Sequence, residues 1–123
     1  MKMRLVALGL AAGLVPAVAL ACGTCIEDKV AATYDWDVVQ QASARRHVVV
    51  FAAVEAPADA KALASAAARV PGVDRASVRT ADSPRALSFA LDPKRASPKA
   101  ALAAIERAPG LSGVRLTLVR VMR

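Results

Sequence analysis

The stretch "HVVVFAAVE", residues 47–55, constrains this chain more than any other segment. From Val48 to Val54 every residue is apolar. Successive side chains of a strand point to opposite faces. A run that is apolar at odd and even positions alike therefore needs cover on both sides, which reads as a central, buried strand.

The elements that follow can be read in order. Pro57 and Asp59 start a helix through "ADAKALASAAARV", which stops before Pro71-Gly72. "GVDRASVRT" and "RALSFALD" predict two short strands around the turn "ADSP", with Leu87, Phe89 and Leu91 on one face. Ser97-Pro98 begins a second helix, "KAALAAIERA", ended by Pro109-Gly110, and "GVRLTLVRVM" closes as a strand. Strand, helix, strand, strand, helix, strand makes two split βαβ units. The expected architecture is a ferredoxin-like α+β sandwich over residues 47–123, with both helices on one face of an antiparallel sheet.

A helix from residues 22–46 lying over the otherwise open sheet face would explain why 48–54 is apolar on both faces. Asp35 or Asp37 can cap a helix through "VVQQASARR", with Arg45-Arg46 at its C-terminal end. Folded back along the first strand, this extra N-terminal helix closes the open face. A helix of about 12 residues spans roughly 18 Å and a strand of 7 or 8 about 25 Å, so the helix start is expected beside the strand's end, near Val54. Tyr34 and Trp36 are expected to pack it on the sheet.

Residues 1–21, "MKMRLVALGLAAGLVPAVALA", read as an export signal: Lys2 and Arg4, an uncharged apolar run from Leu5 to Leu14, then Ala19-Leu20-Ala21 before the cut. The expected location is the periplasm or the cell envelope. Loss of Lys2 and Arg4 with the leader leaves 102 residues carrying 15 basic and 10 acidic side chains, a net charge of +5. The basic residues are scattered along the sequence, and the aromatics are only Tyr34, Trp36, Phe51 and Phe89. Nucleic-acid binding wants a basic face with stacking aromatics, so no nucleic-acid partner is expected. A mild preference for anionic membrane surface is the simpler consequence of the charge.

Both cysteines lie in Cys22-Gly23-Thr24-Cys25. Two residues between them let both sulfurs turn inward on one short loop, which suits a two-coordinate thiolate site for a soft metal, half a zinc site, or a redox pair. An inert disulfide is a fourth reading. A fifth is a lipidated Cys22 at the mature N-terminus, which makes a membrane attachment and removes the dithiolate. If Thr24 caps a helix beginning at Cys25, the helix N-terminus favours thiolate.

"ARVPGVDRASVRTADSPRALSFALDPKRASPKAALAAIERAPG" resembles the heavy-metal-associated domain of small copper and mercury carriers. Pro71-Gly72-Val73 after the first helix, Asp92-Pro93 after the third strand and Ile105 late in the second helix match that family's pattern. The resemblance runs from residue 47 to 121. It implies the same fold and a soft-metal cargo, Cu(I) above all. The family's metal-binding cysteines would fall at Ala56 and Asp59, and its preceding methionine at Val54, so the usual loop lacks its ligands.

The expected function is that of an exported soft-metal carrier, with Cys22 and Cys25 as thiolate ligands for Cu(I) and a metal-donor or metal-acceptor protein as partner. The alternatives are a lipid-anchored or periplasmic interaction module of the same fold that has lost metal binding, and a thiol–disulfide protein. His47, the sole histidine, is a weak candidate for a third ligand and reads first as a surface position. Glu27, Asp28, Asp35 and Asp37 read as helix-start capping and a solvated face. No Ser-His-Asp set and no glycine-rich phosphate loop is present, and an enzyme is not expected.

Overall fold

A computed structural model describes residues 26–123. The expected leader, Cys22 and Cys25 lie outside the described residues. The elements are α1 (Ile26–Ala31), α2 (Trp36–Ala44), β1 (Val48–Val54), α3 (Ala60–Ala68), a 3-10 turn (Arg75–Ser77), β2 (Arg79–Asp82), β3 (Arg85–Leu91), α4 (Pro98–Glu106) and β4 (Leu116–Met122). Four strands form one antiparallel sheet in the order β2-β3-β1-β4. Among the described residues the protein is a mixed α+β fold with one four-stranded antiparallel sheet and four helices.

β1 lies inside the sheet, and none of its seven residues is more than 5% exposed. Its alternating side chains divide between two cores. Val48, Val50, Ala52 and Val54 face α3 and α4 together with Leu87, Phe89 and Leu91 of β3. α3 contributes Leu63, Ala66 and Ala67, and α4 contributes Ala101, Leu102 and Ile105. These spacings of one, three and four residues place each set on one helix face. Asp59 caps α3 by accepting from the Ala62 amide, and Ser97 caps α4 by accepting from the Ala100 amide.

The other face of β1, Val49 and Phe51, packs with Ala90 against Val30 of α1 and Val38 and Ala42 of α2. The N-terminal segment is thus the second layer that the doubly apolar strand requires. It is built as two helices rather than one. Asp35 is extended (φ −139°, ψ 116°), and its carboxylate accepts from the amides of Asp37 and Val38, starting α2 afresh.

Three other expectations change. Tyr34 and Trp36 do not pack the helices on the sheet; they are 42% and 62% exposed. Trp36 is the first residue of α2 and lies nearly half a turn around the helix from the Val38–Ala42 stripe. The expected strand over 72–80 is a single bridge at Val73, then the 3-10 turn, then β2 from Arg79. Asp74 causes the interruption: its carboxylate takes the Ala76 amide and its carbonyl takes the Ser77 hydroxyl. Finally, α2 is nine residues, about 14 Å long. Its start reaches the middle of the sheet rather than Val54.

Candidate functional site

Cys25 is joined to Ile26, the first residue of α1, so the surroundings of α1 are the described context of the cysteine pair. One transverse rung of the sheet holds that context. Arg79, Ser88, Phe51 and Arg120 are successive partners across β2, β3, β1 and β4. Each meets the N-terminal layer. Arg79 Nε donates to Asp35 Oδ2 at 3.1 Å, and the Ser88 hydroxyl faces the Thr33 carbonyl at a long 3.4 Å. Phe51 packs among Val30, Val38 and Ala42. Arg120 grips Glu27 with both terminal nitrogens, at 3.3 and 2.8 Å.

Of the polar links at the two sides of the rung, Glu27–Arg120 is exposed and Asp35–Arg79 only partly buried, so their role is registration more than strength. The Arg120 hydrogen bond, together with its charge, holds the Glu27 carboxyl below its ordinary 4.5 and raises the Arg120 guanidinium in return. The Val38 amide, followed by Arg79 and the Asp37 amide, holds Asp35 below its ordinary 3.8. Glu27 and Asp35 are therefore anions at neutral pH with assigned partners. Asp28 and Asp37 are exposed, as expected of a solvated face.

Sequence reading did not find this rung. Strict alternation from Leu116 and Leu118 would turn Arg120 toward α3 and α4. A register shift between Phe51 and Ala52 leaves Val119 extra in β4 and turns Arg120 to the α1 side instead. No residue type in "LTLVRVM" signals that bulge. Arg79 carried a weak signal, since it opens a strand directly opposite Ser88 of its hairpin partner.

The loop where the family resemblance puts a metal runs from Glu55 to Asp59. Its first residue is tied to the start of β4. The Glu55 amide donates to the Arg115 carbonyl at 2.8 Å, and the Thr117 hydroxyl donates to Glu55 Oε2 at 2.8 Å. Asp59 is occupied as the α3 cap. Ala56 is half-buried and offers no donor. The crevice beside the loop, lined by Val54, Ala58, Leu63 and Thr80 among others, has a volume of about 10 Å³, room for about one water.

His47 stands at the α2–β1 junction, its amide donating to the Ala42 carbonyl at 2.8 Å. It is separated from the 55–59 loop by the whole of β1, about 23 Å for seven residues. Its Nδ1 is buried and has no partner among the described residues. Among the described residues no group of three or more His, Cys, Asp or Glu is placed to hold a metal ion, and no helix is long and apolar enough to cross a membrane.

The fold and site define a class: an α+β sheet protein covered on both faces, whose N-terminal layer is clasped across the sheet by one rung. Compared with protein-family models, with curated proteins and with solved structures, the chain matches none.

Proposed function

We propose that this protein is an exported soft-metal carrier that holds Cu(I) between the thiolates of Cys22 and Cys25. The single observation that supports this reading most is the attachment of the chain directly after Cys25. Ile26 begins a helix tied to the sheet through Glu27–Arg120 and Val30, so the chain belongs to the compact body from the residue that follows Cys25. The strand order β2-β3-β1-β4, with α3 and α4 on one face, agrees with a ferredoxin-like topology, and we propose kinship with the heavy-metal-associated domains on that basis. In this chain the carrier role passes from the β1–α3 loop to the N-terminal pair.

Delivery follows from thiolate exchange. An incoming thiolate of the acceptor adds to the two-coordinate ion, giving three sulfurs. One Cys sulfur then leaves, and a second acceptor thiolate displaces the other. The copper stays Cu(I) throughout, and each thiolate released takes a proton from solvent.

Competition of the reduced, processed protein against a Cu(I) chelator tests the reading. Stoichiometric Cu(I) withdrawal that is lost in Cys22→Ser and in Cys25→Ser supports it. A thioether-linked lipid on Cys22, found by intact mass, or equal withdrawal by Cys25→Ser, rejects it. In that event the thiolate-free loop at Ala56 and Asp59 favours the second reading, a binding module of this fold that carries no metal.

A further inference from the structure

The sequence scatters its basic residues, but the fold gathers them. The α2–β1 turn carries Arg45 and Arg46, followed by His47 and then Val48, which pairs with Leu91 at the end of β3. Beyond Leu91 the loop carries Lys94 and Arg95. Arg95 Cβ lies only 3.1 Å from where a Cβ on Gly72 would stand, and the Asp92 amide donates to the Gly72 carbonyl. That contact draws in Arg69, the C-cap of α3, and Arg75, which opens the 3-10 turn. Met122 pairs with Val49, so Arg123 reaches the same end.

All seven cations are exposed, and among the described residues only Arg45 is in an ion pair, with Asp74 at 3.2 Å. Asp74 and Asp92 are the side-chain carboxylates at this end, both partly buried. The opposite end is balanced: Lys61, Arg85, Arg107 and Arg115 stand with Glu55, Asp59, Asp82 and Glu106. The molecule therefore has one strongly basic pole.

We propose that this pole docks on an anionic phospholipid surface. Six of the seven cations are arginines, whose planar forks match phosphate oxygens. They are spread over five separate turns and element ends, as suits an extended sheet of headgroups rather than one phosphate. The exposed aromatics, Tyr34 and Trp36, stand at the start of α2, at the other end of that helix from Arg45. The pole therefore lacks the stacking surface that a single-stranded nucleic acid would use.

Each basic side chain near such a surface strengthens binding about fivefold, so removing four lowers it by about two to three orders of magnitude. The test is co-sedimentation of the full chain with vesicles of phosphatidylcholine alone or mixed with phosphatidylglycerol. The readout is the ratio of the two affinities, in which any apolar contribution from the N-terminal residues cancels. The expected ratio is large at low salt and collapses when added salt contracts the screening length from about 10 Å to about 3 Å.

The variant Arg69→Glu, Arg75→Glu, Lys94→Glu, Arg95→Glu loses the preference. A control with Lys61→Glu, Arg85→Glu, Arg107→Glu, Arg115→Glu has the same net charge and keeps it, with circular dichroism reporting that both are folded. Equal loss in both variants, retention in the first, or a parent ratio near one overturns the proposal.

Discussion

Replacing Phe51 by alanine tests whether the N-terminal helices are a structural layer. The ring is 1% exposed and lies between β1 and the side chains of Val30, Val38 and Ala42. A buried aromatic side chain removes roughly 150–250 Å² from water, about 4–6 kcal/mol at 25 cal/mol per Å². Compactness of the unfolded chain lowers this by about 10–40%, and the alanine methyl keeps part of it. About 3–4 kcal/mol remains, within the usual cost of a Phe→Ala change in a core.

Phe89, 0% exposed, occupies the equivalent place against α3 and α4. Phe89→Ala should therefore cost about the same. Urea unfolding followed by far-ultraviolet circular dichroism gives both losses from the midpoints and slopes. A domain of this size has about 5–15 kcal/mol in hand. If either variant fails to fold, Phe51→Leu and Phe89→Leu give a milder comparison on the same scale. A Phe51→Ala loss under about 1 kcal/mol, beside a Phe89→Ala loss of about 3 or more, would refute the second layer.

Three further outcomes follow from the geometry. Glu27 and Asp35 have folded-state pKa values below the ordinary 4.5 and 3.8, so their stabilisation is complete above those values and disappears as pH falls through the folded ones. The urea midpoint of the parent should exceed that of Glu27→Gln, Asp35→Asn at neutral pH, with the gap closing in acid; a pH-independent gap contradicts the assignment. Glu106 Oε2 accepts the Leu116 amide at 2.7 Å on the outer edge of β4, so Glu106→Ala should lower stability by about 1 kcal/mol, read from urea midpoints. Trp36, the single tryptophan, should emit as a solvated indole and be quenched freely by acrylamide; blue-shifted, protected emission would contradict its exposed position.

Much of the fold was legible because the deciding signals are local. The apolar run at 48–54, the caps Asp59 and Ser97, and Pro-Gly at 71–72 and 109–110 each act through a handful of neighbouring atoms. From them come the element order, and from the doubly apolar strand comes the need for an N-terminal layer. Tertiary pairing governs what was missed. Asp35 and Asp37 both look like caps, and only the pairing of Asp35 with Arg79, 44 residues away, adds a second reason for one of them. The bulge at Val119 decides which face Arg120 uses, and the exposure of Trp36 depends on helix phase relative to a sheet that no local window contains. The basic pole was illegible for the same reason: Arg46, Arg69, Arg95 and Arg123 are distant in sequence and come to one end of the sheet only through strand register and the approach of Gly72 to Arg95.

Native mass spectrometry of the reduced, processed chain mixed with one equivalent of Cu(I) tests the carrier reading most directly. A one-to-one copper adduct that is absent from both Cys22→Ser and Cys25→Ser is the predicted spectrum. An adduct that survives either substitution, or a parent mass already raised by acyl chains on Cys22, contradicts it.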